Sequence, residues 1–183
     1  LRKRIPIGGG LGGGSSNAAN VLLCLNRLFG KPLSMKEVRH LAAELGSDCP
    51  LFTRDTACLM KGRGEVTEAL PESVRQSLHG RQVALFWPPF SISTSWAFSH
   101  FDKISHLFEP KDLSPEAFLA GWLSGSGPLE NLLSNDFEKV ISLKYPTFSL
   151  LLNELRQSLG LSVSVSGSGS ACFALLDDSS KCD

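Results

Sequence analysis

Six of the seventeen glycines in this chain lie between Gly8 and Gly14, directly ahead of a segment with helical apolar spacing. Consecutive glycines leave backbone N–H groups unshielded, and a helix opening behind them adds the positive end of its dipole. Such a place suits an anion, most often phosphate. A flexible linker can have the same glycine content. Here the helix behind the loop and Pro6 in front of it argue for a fixed structure, because a linker needs neither.

Apolar residues recur at Ala18, Val21, Leu22, Leu25, Leu28 and Phe29, the spacing of a helix with one buried stripe, and Ser15 and Ser16 stand where its N-cap belongs. Gly30-Lys31-Pro32 ends it. Ser34 and Glu37 form a capping box for a second helix carrying Val38, Leu41, Ala42 and Leu45, which Gly46 closes. Strand patterns follow at 56–60, 65–70 and 82–87, punctuated by Gly62 and Gly64. Trp87-Pro88-Pro89-Phe90 predicts a boundary between two lobes, 1–89 and 90–183. Helical patterns occupy 94–101, 115–123, 129–143 and 147–159. A strand at 161–165, the small-residue loop Ser166-Gly167-Ser168-Gly169-Ser170 and a strand at 171–176 complete the pattern.

Composition narrows the function classes. With 183 residues, 42% hydrophobic and 20% charged, the chain can bury a core. Eighteen basic residues balance eighteen acidic ones, which argues against electrostatic nucleic-acid binding and makes any anion site local. No apolar run reaches membrane-spanning length and no signal peptide is visible, so the expectation is a soluble chain without a membrane partner. Five scattered cysteines, Cys24, Cys49, Cys58, Cys172 and Cys182, lack metal-ligand spacing and read as buried reduced thiols of a cytosol-like compartment. His40, His79, His100 and His106 read as surface histidines. The start at Leu1 with only a short lead into the loop, and the end soon after an apolar strand, suggest a fragment lacking an upstream portion.

Three phosphate motifs compete for the loop. A Walker A motif needs Gly-Lys-Ser/Thr at its end, whereas Ser15 follows Gly14. A protein-kinase loop needs Val-Ala-x-Lys and His-Arg-Asp downstream, and neither occurs. The dinucleotide pattern is met formally by Gly8, Gly10 and Gly13, but the nearest acid, Glu37, lies inside a capped helix instead of ending a second strand. A nicotinamide-dependent oxidoreductase is therefore a weak reading.

The segment Pro6-Ile7-Gly8-Gly9-Gly10-Leu11-Gly12-Gly13-Gly14-Ser15-Ser16-Asn17-Ala18-Ala19 closely resembles the phosphate loop of the GHMP kinase superfamily. Leu45-Gly46-Ser47-Asp48-Cys49-Pro50 is similar to the family's Gly-x-Asp-x-Pro segment, Gly62-Arg63-Gly64-Glu65 to its Gly-x-Gly-Glu hairpin, and Asn135-Asp136-Phe137-Glu138 to its Asn-Asp-x-Glu helix start. Ser166 to Phe173 resembles the third superfamily motif, a glycine-rich loop that supports the phosphate loop. The resemblance implies a two-lobed α+β fold, with an N-terminal lobe like ribosomal protein S5 domain 2 and a ferredoxin-like C-terminal lobe. The extra glycines and Asn17 resemble the branch that uses ATP to phosphorylate the 2-hydroxyl of 4-diphosphocytidyl-2-C-methyl-D-erythritol in non-mevalonate isoprenoid synthesis. Bacterial cytoplasm or plastid is the implied location. A homoserine or mevalonate type of GHMP kinase, or a non-catalytic nucleotide-binding fragment, are the alternatives.

Carried onto this sequence, the resemblance makes Gly8, Gly9, Gly10, Leu11, Gly12, Gly13, Gly14, Ser15, Ser16, Asn17 and Ala18 the ATP-phosphate contacts, with Ser15 or Ser16 able to touch Mg²⁺. Asp48 becomes the general base; from the residues alone it reads as a cap for the turn at Pro50. In the family a first-strand lysine orients that base, and this sequence contains no match to it. Thr94, Phe98, Gly167, Ser168 and Gly169 fall to the substrate side, with Phe98 either stacking on the cytosine ring or packing as a core aromatic. Ser93 and Ser95 stand where the family usually has prolines.

Overall fold

The computed structural model describes residues 2–107, 115–124, 130 and 133–176 of this mixed α+β chain. It forms two compact units, Gly12–His79 and, from both ends of the sequence, Leu1–Leu11 with Gly80–Asp183.

In the Gly12–His79 unit, helices α1 (Gly13–Leu28) and α2 (Met35–Leu45) pack with a 3-10 helix at Cys49–Thr53. The capping box is present in full. Ser34 Oγ accepts the Glu37 N–H, and the Glu37 carboxylate accepts the Ser34 N–H at 2.8 Å. The buried face of α1 differs from the predicted stripe, since Ala19 and Asn26 are buried while Leu28 and Phe29 are 77% and 73% exposed. A polar residue can occupy that face because both ends of the Asn26 carboxamide are hydrogen-bonded. It accepts the Leu33 N–H at 3.0 Å and donates to the Leu33 carbonyl at 3.1 Å, pinning the turn between the helices.

Strands β1 (Cys58–Lys61) and β2 (Val66–Ala69) form an antiparallel hairpin, with Lys61 opposite Val66. Helix α3 (Glu72–Leu78) follows Pro71; its apolar content is too sparse for the spacing to predict it.

The other unit is built on a three-stranded antiparallel sheet in the order β3 (Gln82–Phe86), β5 (Cys172–Leu176), β4 (Val163–Val165). Helices α6 (Phe137–Lys144) and α7 (Pro146–Gln157) cover the core formed by Ile141, Phe148, Leu152, Val165, Cys172 and Ala174. Helix α4 (Thr94–Ile104) adds Ala97, and α5 spans Pro115–Leu123. The division falls at His79–Gly80, ahead of the boundary expected at Pro89, because β3 takes its ladder bonds from β5.

Helix α6 starts later than the predicted 129–143 helix, where the Asn135 side chain accepts the Phe137 N–H at 2.9 Å; residues 125–129, 131 and 132 lie outside the described set. Ser93 caps α4 by accepting the Trp96 N–H, so the serine does the helix-starting work expected of a proline-rich turn.

Candidate phosphate-binding and catalytic site

The glycine run is shared between the two units. In the sheet-containing unit, residues 8–11 dock on the small-residue loop between β4 and β5. The Ala171 N–H donates to the Gly9 carbonyl at 3.0 Å and Ser166 Oγ donates to the Gly10 carbonyl at 2.9 Å. Gly10 has φ +74°, and a Cβ there would lie 2.1 Å from the Ser166 carbonyl oxygen. The approach is reciprocal, since a Cβ on Gly167 would meet the Gly10 carbonyl at 2.9 Å. Two backbones thus touch where only glycine permits it.

In the other unit, Gly12 is the N-cap of α1 in the left-handed conformation and Ser16 N–H is hydrogen-bonded to its carbonyl at 2.8 Å. The helix therefore begins at Gly13, and Ser15 and Ser16 belong to its first turn instead of capping it. The sequence pattern misplaces the start because a left-handed glycine gives no capping side chain to read. The amides of Gly13, Gly14 and Ser15 have no acceptor within the helix, and the first turn carries no acidic residue to offset the dipole. Asn17 and Ala18 follow half-buried on the same turns, and the Asn20 carboxamide donates to the Ser16 carbonyl at 2.8 Å.

Asp48 belongs to the same unit as this helix start. A Cβ on Gly12 would lie 2.7 Å from Phe52 Cζ, so the 3-10 helix that begins after Asp48 is packed against the opening of α1. Asp48 is exposed and its carboxylate makes no capping bond, which removes the turn-cap role that its sequence position suggests. Its Oδ1 sits 3.2 Å from where a Cβ on Gly64 would be, at the β1–β2 hairpin turn. The same turn is closed by Glu65, whose carboxylate accepts the Arg63 N–H at 2.7 Å; hydrogen bonds from its own backbone N–H and from that of Arg63 lower its pKa.

On the sheet-containing unit, Thr94 Oγ1 and Ser168 Oγ are 3.0 Å apart, which joins the start of α4 to the small-residue loop. Gly169 sits under Ile141 and Ile92. Phe98 is 54% exposed and meets Phe137 edge-on with centroids 4.8 Å apart, so it is not a core aromatic. Ser170 donates to the Phe90 carbonyl, tying the loop to the segment ahead of α4.

Among the described residues no group of three or more His, Cys, Asp or Glu side chains could hold a metal. Cys24, Cys49, Cys58 and Cys172 are free, but Cys24 is exposed, contrary to the expectation of burial for all; Cys182 lies outside the described residues. Burial pushes the Cys172 thiol up to about 11. His40, His79 and His106 are exposed, whereas His100 stacks half-buried on Trp96, its Nδ1 3.0 Å from the Trp96 carbonyl.

Ser166, Asn135 and Phe52 stand in or beside motifs read from the sequence, but their contacts with the two glycine loops do not show in the spacing. Ser166 and Gly10 are 156 positions apart, and no local pattern links them.

The glycine run thus opens α1 in one unit and docks residues 8–11 on a second glycine loop in the other, and the comparisons give the family. Residues 1–58 match the GHMP kinases N terminal domain and residues 116–181 the GHMP kinases C terminal domain; the chain belongs to the GHMP kinases. It is 37% identical over 180 residues to the 4-diphosphocytidyl-2-C-methyl-D-erythritol kinase of Thermodesulfovibrio yellowstonii, covering 97% of this chain and 61% of that protein. The enzyme of the same description from Prochlorococcus marinus is 39% identical over 191 residues, covering 97% of this chain and 57% of its own length. A crystal structure of 4-(cytidine 5'-diphospho)-2C-methyl-D-erythritol kinase superposes with a TM-score of 0.70 at 32% identity, covering 97% of this chain and 60% of that one. The chain thus spans about six-tenths of the length of the relatives it matches. Among the described residues no helix is long and apolar enough to cross a membrane.

Proposed function

We propose that this chain carries the ATP-phosphate loop and general base of a kinase acting on the 2-hydroxyl of 4-diphosphocytidyl-2-C-methyl-D-erythritol, giving the 2-phosphate and ADP. The observation that carries the reading is the set of free amides at Gly13, Gly14 and Ser15 in the same unit as an uncapped, exposed Asp48 carboxylate. Phosphoryl transfer needs little covalent help from protein: it needs the phosphates held, their charge offset and the acceptor hydroxyl positioned. Residues 8–18 supply the first two through backbone amides and the α1 dipole. Asp48, with no hydrogen bond to its local backbone, is free to accept the hydroxyl proton as oxygen attacks the γ-phosphorus.

Thr94, Phe98 and the loop 167–169 are assigned to the cytidyl substrate. The half-exposed Phe98 ring supports this, since a stacking partner needs an open face. Magnesium belongs with ATP in this reading. Such sites hold the ion through substrate phosphates, waters and one or two carboxylates, so no cluster of three side chains is needed, and the hydroxyl of Ser15 or Ser16 would be the loop's oxygen donor to it. When bound, the ion neutralises phosphate charge. The four free thiols support a reducing compartment, bacterial cytoplasm or plastid.

The test is Asp48→Asn in the intact enzyme, assayed with ATP and the cytidyl substrate beside homoserine and mevalonate. We expect phosphorylation of the cytidyl substrate alone. The variant should lose about a hundredfold or more in kcat, with ATP affinity retained. Turnover at the wild-type rate, or preference for another alcohol, contradicts the proposal.

A further inference from the structure

Asn135 makes more hydrogen bonds than a helix start requires. Its Oδ1 accepts the Phe137 N–H at 2.9 Å, and its Nδ2 donates to two carbonyls at once, Val165 at 2.9 Å and Gly167 at 2.8 Å. This pattern fixes the orientation of the carboxamide, because a flipped amide would set its oxygen against two carbonyls and its NH2 against an N–H. The two carbonyls flank Ser166, whose hydroxyl donates to the Gly10 carbonyl at 2.9 Å and whose N–H donates to the Ala171 carbonyl at 2.9 Å. Ala171 in turn donates to Gly9.

We infer that Asn135 is a positioning residue for nucleotide binding: by clamping the backbone on both sides of Ser166, it fixes the hydroxyl that holds Gly10 and so sets the shape of the phosphate loop. The inference rests on the assignment of ATP to that loop. Arg156 reinforces the clamp from behind, pairing with Glu138 at 2.7 and 2.8 Å and donating to the Val163 carbonyl at 2.9 Å, which anchors α6 to the strand leading into the clamped turn.

Asn135→Asp separates clamp from helix cap. Aspartate keeps the acceptor for the Phe137 N–H and places negative charge near a helix start, so a residue serving only as a cap loses nothing. A clamp loses both donors and gains a carboxylate facing two carbonyls. In the intact protein, titration with a non-hydrolysable ATP analogue should show affinity reduced about tenfold or more for Asn135→Asp, the combined worth of two ordinary hydrogen bonds. KM for ATP should rise with kcat little changed. Ser166→Ala should weaken the analogue as well, and the double variant should bind no worse than the weaker single one, because both act through one chain of bonds.

Wild-type affinity in Asn135→Asp, or additive losses in the double variant, overturns the inference while leaving the ATP assignment standing. Failure of the wild-type protein to bind the analogue overturns both. Should Asn135→Asp fail to fold, the Ser166→Ala titration decides: unchanged affinity there breaks the chain between clamp and loop.

Discussion

Alanine at position 10 tests the docking of the two glycine loops most directly. Its Cβ would lie 2.1 Å from the Ser166 carbonyl oxygen, 2.9 Å from the Gly169 nitrogen and 3.0 Å from the Gly169 oxygen. All three are backbone atoms, so no side chain can swing aside. The backbone at φ +74° adds strain for any L-residue of about 1–2 kcal/mol. Overpacking a filled site adds about 1–3 kcal/mol more. The docked loop should therefore lose about 2–5 kcal/mol relative to an undocked one, and the lower figure already corresponds to about thirtyfold. Two measurements read it. Affinity for a non-hydrolysable ATP analogue should fall at least about thirtyfold, and the Ala171 amide, which donates to Gly9, should exchange faster by a similar factor. Gly14→Ala is the reference, with open space around its Cβ and no positive φ, and it should leave Ala171 exchange unchanged. Wild-type exchange and affinity in Gly10→Ala would show that the loops are not held together as described.

Two further outcomes follow from local chemistry. Cys172 keeps its proton in the folded state up to about 11, above its ordinary value of 9.0, so between those values the unfolded chain binds fewer protons and stability must fall as pH rises. Thermal melts from pH 8 to 11 should show this alkaline loss, and Cys172→Ala should flatten it. Ser34→Ala removes the hydroxyl half of the capping box and should lower stability by about 1 kcal/mol in a denaturant titration. Glu37 is held below its ordinary carboxyl value chiefly by the Ser34 side chain, so its contribution is present above pH 4.5 and lost on acidification; the substitution should reduce that acid dependence.

How much the sequence disclosed depended on whether a feature's cause was local. The box at Ser34 and Glu37, the hairpin around Gly62 and Gly64, and the helix at Thr94 arise from residues a few positions apart, and all are present. The buried face of α1 departs from its apolar stripe because apolar spacing cannot tell which face meets a neighbour. Asn26 is buried by virtue of hydrogen bonds to Leu33, while Leu28 and Phe29 are exposed. The strand pattern at 82–87 nearly matches β3, yet its partner, β5, lies at the other end of the sequence, so its membership in a unit is not legible in its own residues. Asp48 shows the same limit in the site. Its position two residues before Pro50 suggests a cap, yet in the fold the carboxylate makes no capping bond.

The glycine run itself divides into two kinds of residue that composition cannot distinguish. Gly8, Gly10 and Gly12 all have positive φ, and a Cβ on them would meet Ser91, Ser166 or Phe52 at 2.9, 2.1 and 2.7 Å respectively. Packing within the protein is sufficient reason for each. Gly14 is the second residue of α1, exposed, with open space where a Cβ would go, so alanine would fit there without a clash. Protein packing therefore gives no reason for a glycine there. The phosphate role proposed for the amides at the start of α1 would supply one, and Gly14→Ala, which leaves the docked part of the loop untouched, tests it through affinity for the ATP analogue alone.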